Sequence, residues 1–319
     1  ESGGPLKPLQ AAYDVNYYNL DLSIDHLSKT IDGSLLCRVE VLEPIDTLML
    51  NIDDVFTIDS VLFRKNGGDF SSTSFTHADQ KIYIDIPVNV LAGDMVSVKI
   101  FYNGAPRIAV NPPWGVGFVW EETSAGDPWI GVACEDEGAD IWWPCKDHPS
   151  DEPDSMHMSF TVQDPLICVS NGQYLGSVTN LNGTSTFNWF ISTPINNYNV
   201  SIYAAEFMLI EDQYYSSIGD SIPFKFWVLP ESYNTAVDYM DVFQAEFDFL
   251  ESICGPFPFG TDKHGWAHAP YWGMEHQTII AYGHDFTTNI YGYDYIHYHE
   301  LAHEWWGNLI TAKDWSDVW

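Results

Sequence analysis

Basic residues are scarce in this chain. Twelve Lys and Arg stand against 45 Asp and Glu in 319 residues, a formal charge of −33. A nucleic-acid binder needs a basic face for phosphates, so that class is excluded. No apolar run approaches the ~20 residues that span a bilayer, which excludes a transmembrane helix. Cysteine is sparse too. Cys37, Cys134, Cys145, Cys168 and Cys254 are an odd number, widely spaced and without a C-x-x-C pair; they read as reduced, buried thiols. There is no internal repeat and no low-complexity linker. Residue 1 is Glu rather than Met, which reads as a processed or engineered start. The N-x-S/T triplets at Asn182 and Asn199 are too common to fix a compartment, so a cytoplasmic chain and one exported after signal-peptide removal both stay open.

Apolar residues, by contrast, are ample. The hydrophobic fraction is 45%, and 13 Trp, 18 Tyr and 18 Phe bring the aromatics to 15%, enough to build cores. At roughly 150 residues per domain the length suggests about two domains. From Tyr13 to about Phe207 apolar residues alternate with period two: Tyr18, Leu20, Leu22, Ile24; Cys37, Val39, Val41; Leu48, Leu50, Ile52; Ile82, Ile84, Ile86, Val88; Val96, Val98, Ile100, Tyr102. Turn-rich pieces such as Lys65-Asn66-Gly67-Gly68 and Ala92-Gly93-Asp94 separate them. The pattern predicts an antiparallel β domain over 1–207. After one more strand around Ile222–Val228, the apolar steps change to three and four at Val237, Met240, Phe243, Phe247, Leu250 and Cys254, an amphipathic helix. Gly255-Pro256 breaks it. Residues 208–319 therefore form a second, mixed unit, and its aromatic, glycine-rich and histidine-rich tail exceeds what a core requires.

Within that tail, His299-Glu300-Leu301-Ala302-His303 is an H-E-x-x-H sequence. It sits in a predicted helix from Asp294, an N-cap type, to Gly307-Asn308, which suits a helix end. Residues four apart share a helix face, so two imidazoles can reach one zinc at about 2.0–2.1 Å. Glu300, rotated about 100° around the axis, can reach a metal-bound water without being a ligand. The motif alone would also suit a surface helix bearing two histidines and a glutamate. His297, two residues before His299, faces another side and reads as incidental. A catalytic zinc needs a third protein ligand. Glu304, Asp314 and Asp317 follow, but Glu304 points off the ligand face, and the two aspartates suit partners of the imidazoles rather than ligands.

The stretch His299-Glu300-Leu301-Ala302-His303-Glu304-Trp305-Trp306-Gly307-Asn308-Leu309-Ile310-Thr311, ending in Trp315 and Trp319, resembles the aminopeptidase-N-like zinc peptidases, the gluzincin family that includes leukotriene A4 hydrolase. The resemblance implies a third zinc ligand, a glutamate nineteen residues after His303, which falls at position 322, beyond Trp319. A second signature of that family, G-A-M-E-N or G-G-M-E-N, has a counterpart in Trp272-Gly273-Met274-Glu275-His276. It implies that Glu275 binds a free α-amine and that Gly273 and Met274 lie along the substrate. Trp272 and His276 depart from the pattern and leave the shape of the first side-chain pocket open. The loop Cys134-Glu135-Asp136-Glu137-Gly138-Ala139-Asp140-Ile141-Trp142-Trp143-Pro144-Cys145-Lys146-Asp147 places Glu135 as the second amine-binding acid, and Val169-Ser170-Asn171-Gly172 fits a family turn. The implied fold is multidomain α+β: an antiparallel, saddle-like β domain followed by the front part of a thermolysin-like α/β catalytic domain.

An α-amine has a pKa near 7.7–8.0 and is mostly cationic at pH 7, so carboxylates suit it. Two glutamates also measure distance, because an amine fixed by Glu135 and Glu275 presents only the first carbonyl for attack. The expected function is a Zn2+-dependent aminopeptidase acting on peptides with a free N-terminus, Glu300 serving as general base. With His299 and His303 alone and no oxyanion tyrosine, a role for which Tyr271 and Tyr298 do not qualify, these 319 residues are expected to bind zinc weakly and to be inactive by themselves. Three competing readings remain. A leukotriene A4 hydrolase-like enzyme would add epoxide opening. A thermolysin-like endopeptidase would have no use for Glu135 and Glu275. A non-catalytic peptide-binding protein would have no need of an intact H-E-x-x-H.

Overall fold

The computed structural model describes residues 3–135 and 138–317. Asp136, Glu137 and Trp319 of the motif stretches lie outside the described residues. An eight-stranded sheet organises the first two hundred residues. From edge to edge it runs Gln173–Thr179, Thr184–Ile191, Ser155–Gln163, Tyr13–Asp25, Thr30–Val41, Met95–Gly104, Phe56–Lys65 and Ser71–Ser72. The period-two reading becomes a row of buried partners across six of these strands: Trp189, Met158, Leu20, Leu35, Ile100 and Val61 are successive cross-strand neighbours. All six are at most 1% exposed. Each such burial is worth roughly 1.5–3 kcal/mol, so the row fixes the register. One pair departs from antiparallel order, because Tyr13–Asp25 and Ser155–Gln163 run parallel.

A four-stranded sheet, ordered Ile167–Ser170, Ile202–Ala205, Pro128–Ala133, Gly117–Glu122, contributes to the same core, and a three-stranded sheet joins Thr47–Asn51, Lys81–Asp85 and Phe75–Ala78. The Ile82 strand stops at Asp85. Ile86 still donates its amide to Asp46, but Pro87 has no N–H to continue a ladder, and Val88 is exposed. Four cysteines are buried and Cys254 is half-buried, all five free. Asn199 is buried, whereas Asn182 lies in an exposed turn.

The remainder is α/β. A mixed five-stranded sheet runs Met208–Tyr215, Ser221–Val228, His264–His268, Ile280–Tyr282, Gly273–Met274, with the last strand at its edge. The helix Tyr233–Cys254 packs Met240, Phe243, Phe247 and Leu250 on it, and Phe243 stacks on Trp266 at 5.2 Å. Val237 is exposed; Ala236, one residue earlier, takes the inward position. Gly255 ends the helix at φ +93°, a conformation that favours glycine. No helix among the described residues is long and apolar enough to cross a membrane.

The Val169-Ser170-Asn171-Gly172 turn joins the two parts. Asn171 Nδ2 donates to the carbonyls of Asn199 (2.8 Å) and Gln277 (2.7 Å), and the Gly172 amide donates to Thr278 Oγ1 at 2.8 Å. The residues directly after His276 are thereby fixed to the β region.

Candidate active site

The H-E-x-x-H helix begins as its sequence indicates. Asp294 is the N-cap, and its Oδ1 accepts from the amides of Ile296 (3.0 Å) and His297 (3.1 Å). It ends sooner than expected, spanning Tyr295–Ala302. Beyond it the chain reverses rather than continuing to Gly307, with the Asn308 amide on the His303 carbonyl at 2.9 Å and the Gly307 amide on the Ile310 carbonyl at 3.1 Å. Gly307, at φ +126°, allows the reversal. His303 keeps helical backbone angles (φ −65°, ψ −19°), so the i, i+4 pairing survives.

The Nε2 atoms of His299 and His303 are 3.4 Å apart. Two nitrogens on one tetrahedral zinc at about 2.0–2.1 Å would be roughly 3.3 Å apart, so the pair fits that ion. Ligand atoms of His299, Glu300 and His303 all lie within 4.8 Å of one another. His303 Nδ1 faces the Trp306 carbonyl at 2.9 Å, which assigns the proton to Nδ1 and the lone pair to Nε2. Of the two aspartates expected beside the imidazoles, Asp314 is seen to bond backbone amides, accepting from those of Gly4 and Ser316. His297 points elsewhere, buried, with its ring stacked on Phe243 at 3.9 Å and Nδ1 on Glu246.

Glu300 is buried against the edge strand. A Cβ on Gly273 would fall 2.3 Å from a Glu300 carboxylate oxygen, so the close approach requires glycine there. Burial, then the charges of Glu275 and Glu135, push the Glu300 carboxyl well above the usual carboxylate range. Burial and His303 lower the pKa of His299, with Glu275 opposing.

Glu135, Glu275, His299 and His303 line one cavity of about 150 Å³. Glu275 Oε1 accepts from the Tyr198 hydroxyl at 3.0 Å. Its carbonyl accepts from Asn308 Nδ2 at 2.8 Å. Met274, expected along the substrate, is buried in the apolar core. His276 is buried on the Tyr203 hydroxyl, and burial lowers its pKa to about 3. Glu304 is fully buried and accepts from the Thr278 amide (2.9 Å) and Asn308 Nδ2 (3.1 Å); burial pushes it up to about 8.

Sequence reasoning missed three contributors. Tyr198 carried no motif of its own. Asn308 read only as a helix end. Trp315, which lines the cavity and meets Tyr198 edge-on at 5.2 Å, counted only as part of a matching run.

Residues 14–199, more than half of the chain, match the family described as Peptidase M1 N-terminal domain. The chain belongs to the M1 peptidase family. It is 26% identical over 96% of its length to Leucine aminopeptidase 2 of Vanderwaltozyma polyspora. It is also 26% identical over 66% of its length to Transcription initiation factor TFIID subunit 2 of Drosophila melanogaster. It spans 45% and 18% of those relatives, less than half of either. The M1 zinc metallopeptidase of Deinococcus radiodurans shares the fold, with a TM-score of 0.76 at 19% identity, covering 99% of this chain and 68% of that one.

Proposed function

We propose that this M1 family member is a Zn2+-dependent aminopeptidase acting on peptides with a free N-terminus. One observation carries the reading: Glu135 and Glu275 share a cavity with the two imidazoles. His299 and His303 would hold the zinc, which when bound acts as a Lewis acid and lowers the pKa of a bound water. Glu275, oriented by Tyr198 and Asn308, and Glu135 hold the cationic amine of the substrate. Glu300 removes a proton from the attacking water and passes it to the departing amine; a carboxyl raised by burial suits both halves of that task. Fixing the amine beside the imidazoles leaves only the first peptide bond in register, which makes the cleavage exopeptidic. We divide the chain at 207/208 into a β domain and a catalytic part; an apolar cluster running from Ile210 to Trp305 supports that division, while the β-region cluster reaches across it to Trp227, Ala267, Met274 and Ala281.

One relative, at 26% identity, is named as a transcription initiation factor subunit rather than a peptidase. The imidazole spacing and the buried Glu300 favour chemistry for this chain. The test is Glu300→Gln in the full-length protein, with zinc content and turnover of aminoacyl amides measured side by side. Retained zinc with turnover lowered about 10²–10⁴-fold is expected. Retained zinc with near wild-type turnover, or equal cleavage of N-acetylated peptides, refutes the reading.

A further inference from the structure

A second cleft, of about 430 Å³, opens where the loop 108–121 faces Trp272. Its wall is unusual for a surface. Val110, Trp114 and Trp272 are 93%, 71% and 63% exposed and converge with Pro112 and Trp120. Exposed apolar side chains are ordinarily scattered singly; a convergent group rimmed by polar residues marks a binding surface. Here Asn111 and Glu121 supply the polar rim.

The cleft is held in shape by backbone bonds. The Ala109 amide donates to the Phe118 carbonyl (2.9 Å), the Phe118 amide to the Arg107 carbonyl (2.8 Å) and the Gly115 amide to the Asn111 carbonyl (2.8 Å). Trp120 is braced by stacking on Phe118 at 5.1 Å. On the other wall the Trp272 carbonyl accepts from the Gly283 amide at 2.9 Å, and the Tyr271 hydroxyl donates to the Val132 carbonyl at 2.8 Å.

Position along the edge strand identifies the occupant. Glu275 marks the substrate amine, Gly273 abuts the general base Glu300, and Trp272 comes next. The strand itself is Gly273–Met274, with Trp272 and Glu275 flanking it, so at about 3.3 Å per residue the three steps from Glu275 to Trp272 span at most about 10 Å. A peptide lying against this open sheet edge, amine at Glu275, brings its second and third residues to Trp272. We infer that the cleft of Trp114, Trp120 and Trp272 binds a bulky apolar side chain at the second or third residue of the peptide substrate. The inference rests on the aminopeptidase reading and extends it to the leaving side of the scissile bond. Tryptophan, Val110 and Pro112 outnumber the single solvated carboxylate, so apolar rather than cationic side chains are selected.

The test compares tripeptide amides that share a first residue and carry Ala, Phe or Lys at positions two and three. Titration calorimetry uses the zinc-loaded, full-length Glu300→Gln protein, in the original background and with Trp114→Ala or Trp272→Ala. Phe is expected to bind about ten-fold or more tighter than Ala, roughly the discrimination an apolar pocket supplies. Each tryptophan deletion should bring that ratio to within about two-fold, with Trp272→Phe restoring part of it. Both side chains are mostly exposed, so the fold survives their removal, and a thermal melt checks this. No Phe preference, a stronger Lys preference, or a preference that persists in both deletions overturns the inference. If wild type cleaves no free-amine peptide, the aminopeptidase reading fails separately, and the calorimetric ratio still decides the cleft.

Discussion

Asn308 is a buried side chain whose amide serves three partners, so its loss should be costly. It is 3% exposed. Its Nδ2 donates to the Glu275 carbonyl at 2.8 Å and to Glu304 Oε2 at 3.1 Å, and its Oδ1 accepts from Asn199 Nδ2 at 2.8 Å. Asn308→Ala removes all three contacts at once and leaves three buried polar groups without this partner. Each orphaned group costs about 1–3 kcal/mol; neighbouring losses share relaxation, so about 3–5 kcal/mol is expected rather than the full sum. Against a total stability of about 5–15 kcal/mol, that shift is large. Urea unfolding measures it directly, as a lower midpoint at an unchanged m-value. Asn199→Ala breaks only one of the three bonds and should cost about 1 kcal/mol. The double variant should then cost less than the sum, because the Asn199–Asn308 bond is counted twice. A loss below about 1 kcal/mol for Asn308→Ala, or strict additivity with Asn199→Ala, would show that the network carries no such weight.

Tyr198→Phe removes the hydroxyl that orients Glu275. It should raise KM for free-amine peptides several-fold more than it lowers kcat; steady-state kinetics showing a pure kcat effect would argue against an orienting role. Gly138→Ala introduces a Cβ 2.1 Å from Asp147 Oδ1 at a backbone φ of +101°. About 1–3 kcal/mol of destabilisation is expected, with weaker peptide binding because Glu135 lies three residues away; unchanged melting and affinity would refute the claim. The buried neutral histidines contribute a share of the stability that acid removes. Burial lowers His268 to about 4, His276 to about 3 and His264 well below its ordinary value. Below about pH 6.5 the unfolded chain takes up protons at these sites that the folded chain refuses, so stability falls with pH by about 1.4 kcal/mol per unit per histidine down to each folded pKa. Glu300 and Glu304, raised by burial, take up protons on folding over the same window and oppose this. The histidine share is therefore read by comparison with His268→Gln: an identical pH dependence of the urea midpoint from pH 6.5 to 4.5 in the two proteins would contradict it.

What was legible in the sequence is what neighbours along the chain determine. The buried row through Leu20, Leu35 and Ile100 shows as period-two alternation because each strand has one core face. The helix Tyr233–Cys254 shows as steps of three and four, and Asp294 shows as a cap because its side chain serves amides two and three residues on. The end of the short helix was not legible. Trp305 and Trp306 carry no stop signal, and the reversal depends on Gly307 pairing with Ile310 rather than on any residue at Ala302. Nor was the support of Glu275. Its hydroxyl donor lies 77 residues away and the amide on its carbonyl 33 residues away, separations at which periodicity and caps carry no information.

Those long-range bonds also decide what the β region is for. It contributes more than a neighbouring surface: Glu135 and Tyr198 come from it directly. Asn171 ties it to Gln277, and Asn199 ties it to Asn308, so the strand bearing Gly273–Met274 and the turn after His303 are both referenced to the same sheet. Under the proposed function, Glu135 and Tyr198 come from the β region and Glu275, His299, Glu300 and His303 from the second part; buried amide side chains and an apolar core that takes in Trp227, Ala267, Met274 and Ala281 register the two. A shift of one part against the other would break that shared packing as well as these bonds, which together hold Glu135 and Tyr198 in place relative to His299 and His303. Of the bonds Asn171 makes, the one to the Gln277 carbonyl crosses the junction, while those to Asn199 and Ser201 stay within the β region. Under the proposed function, selectivity for a free amine therefore rests on this packed junction as much as on the residues that line the cavity.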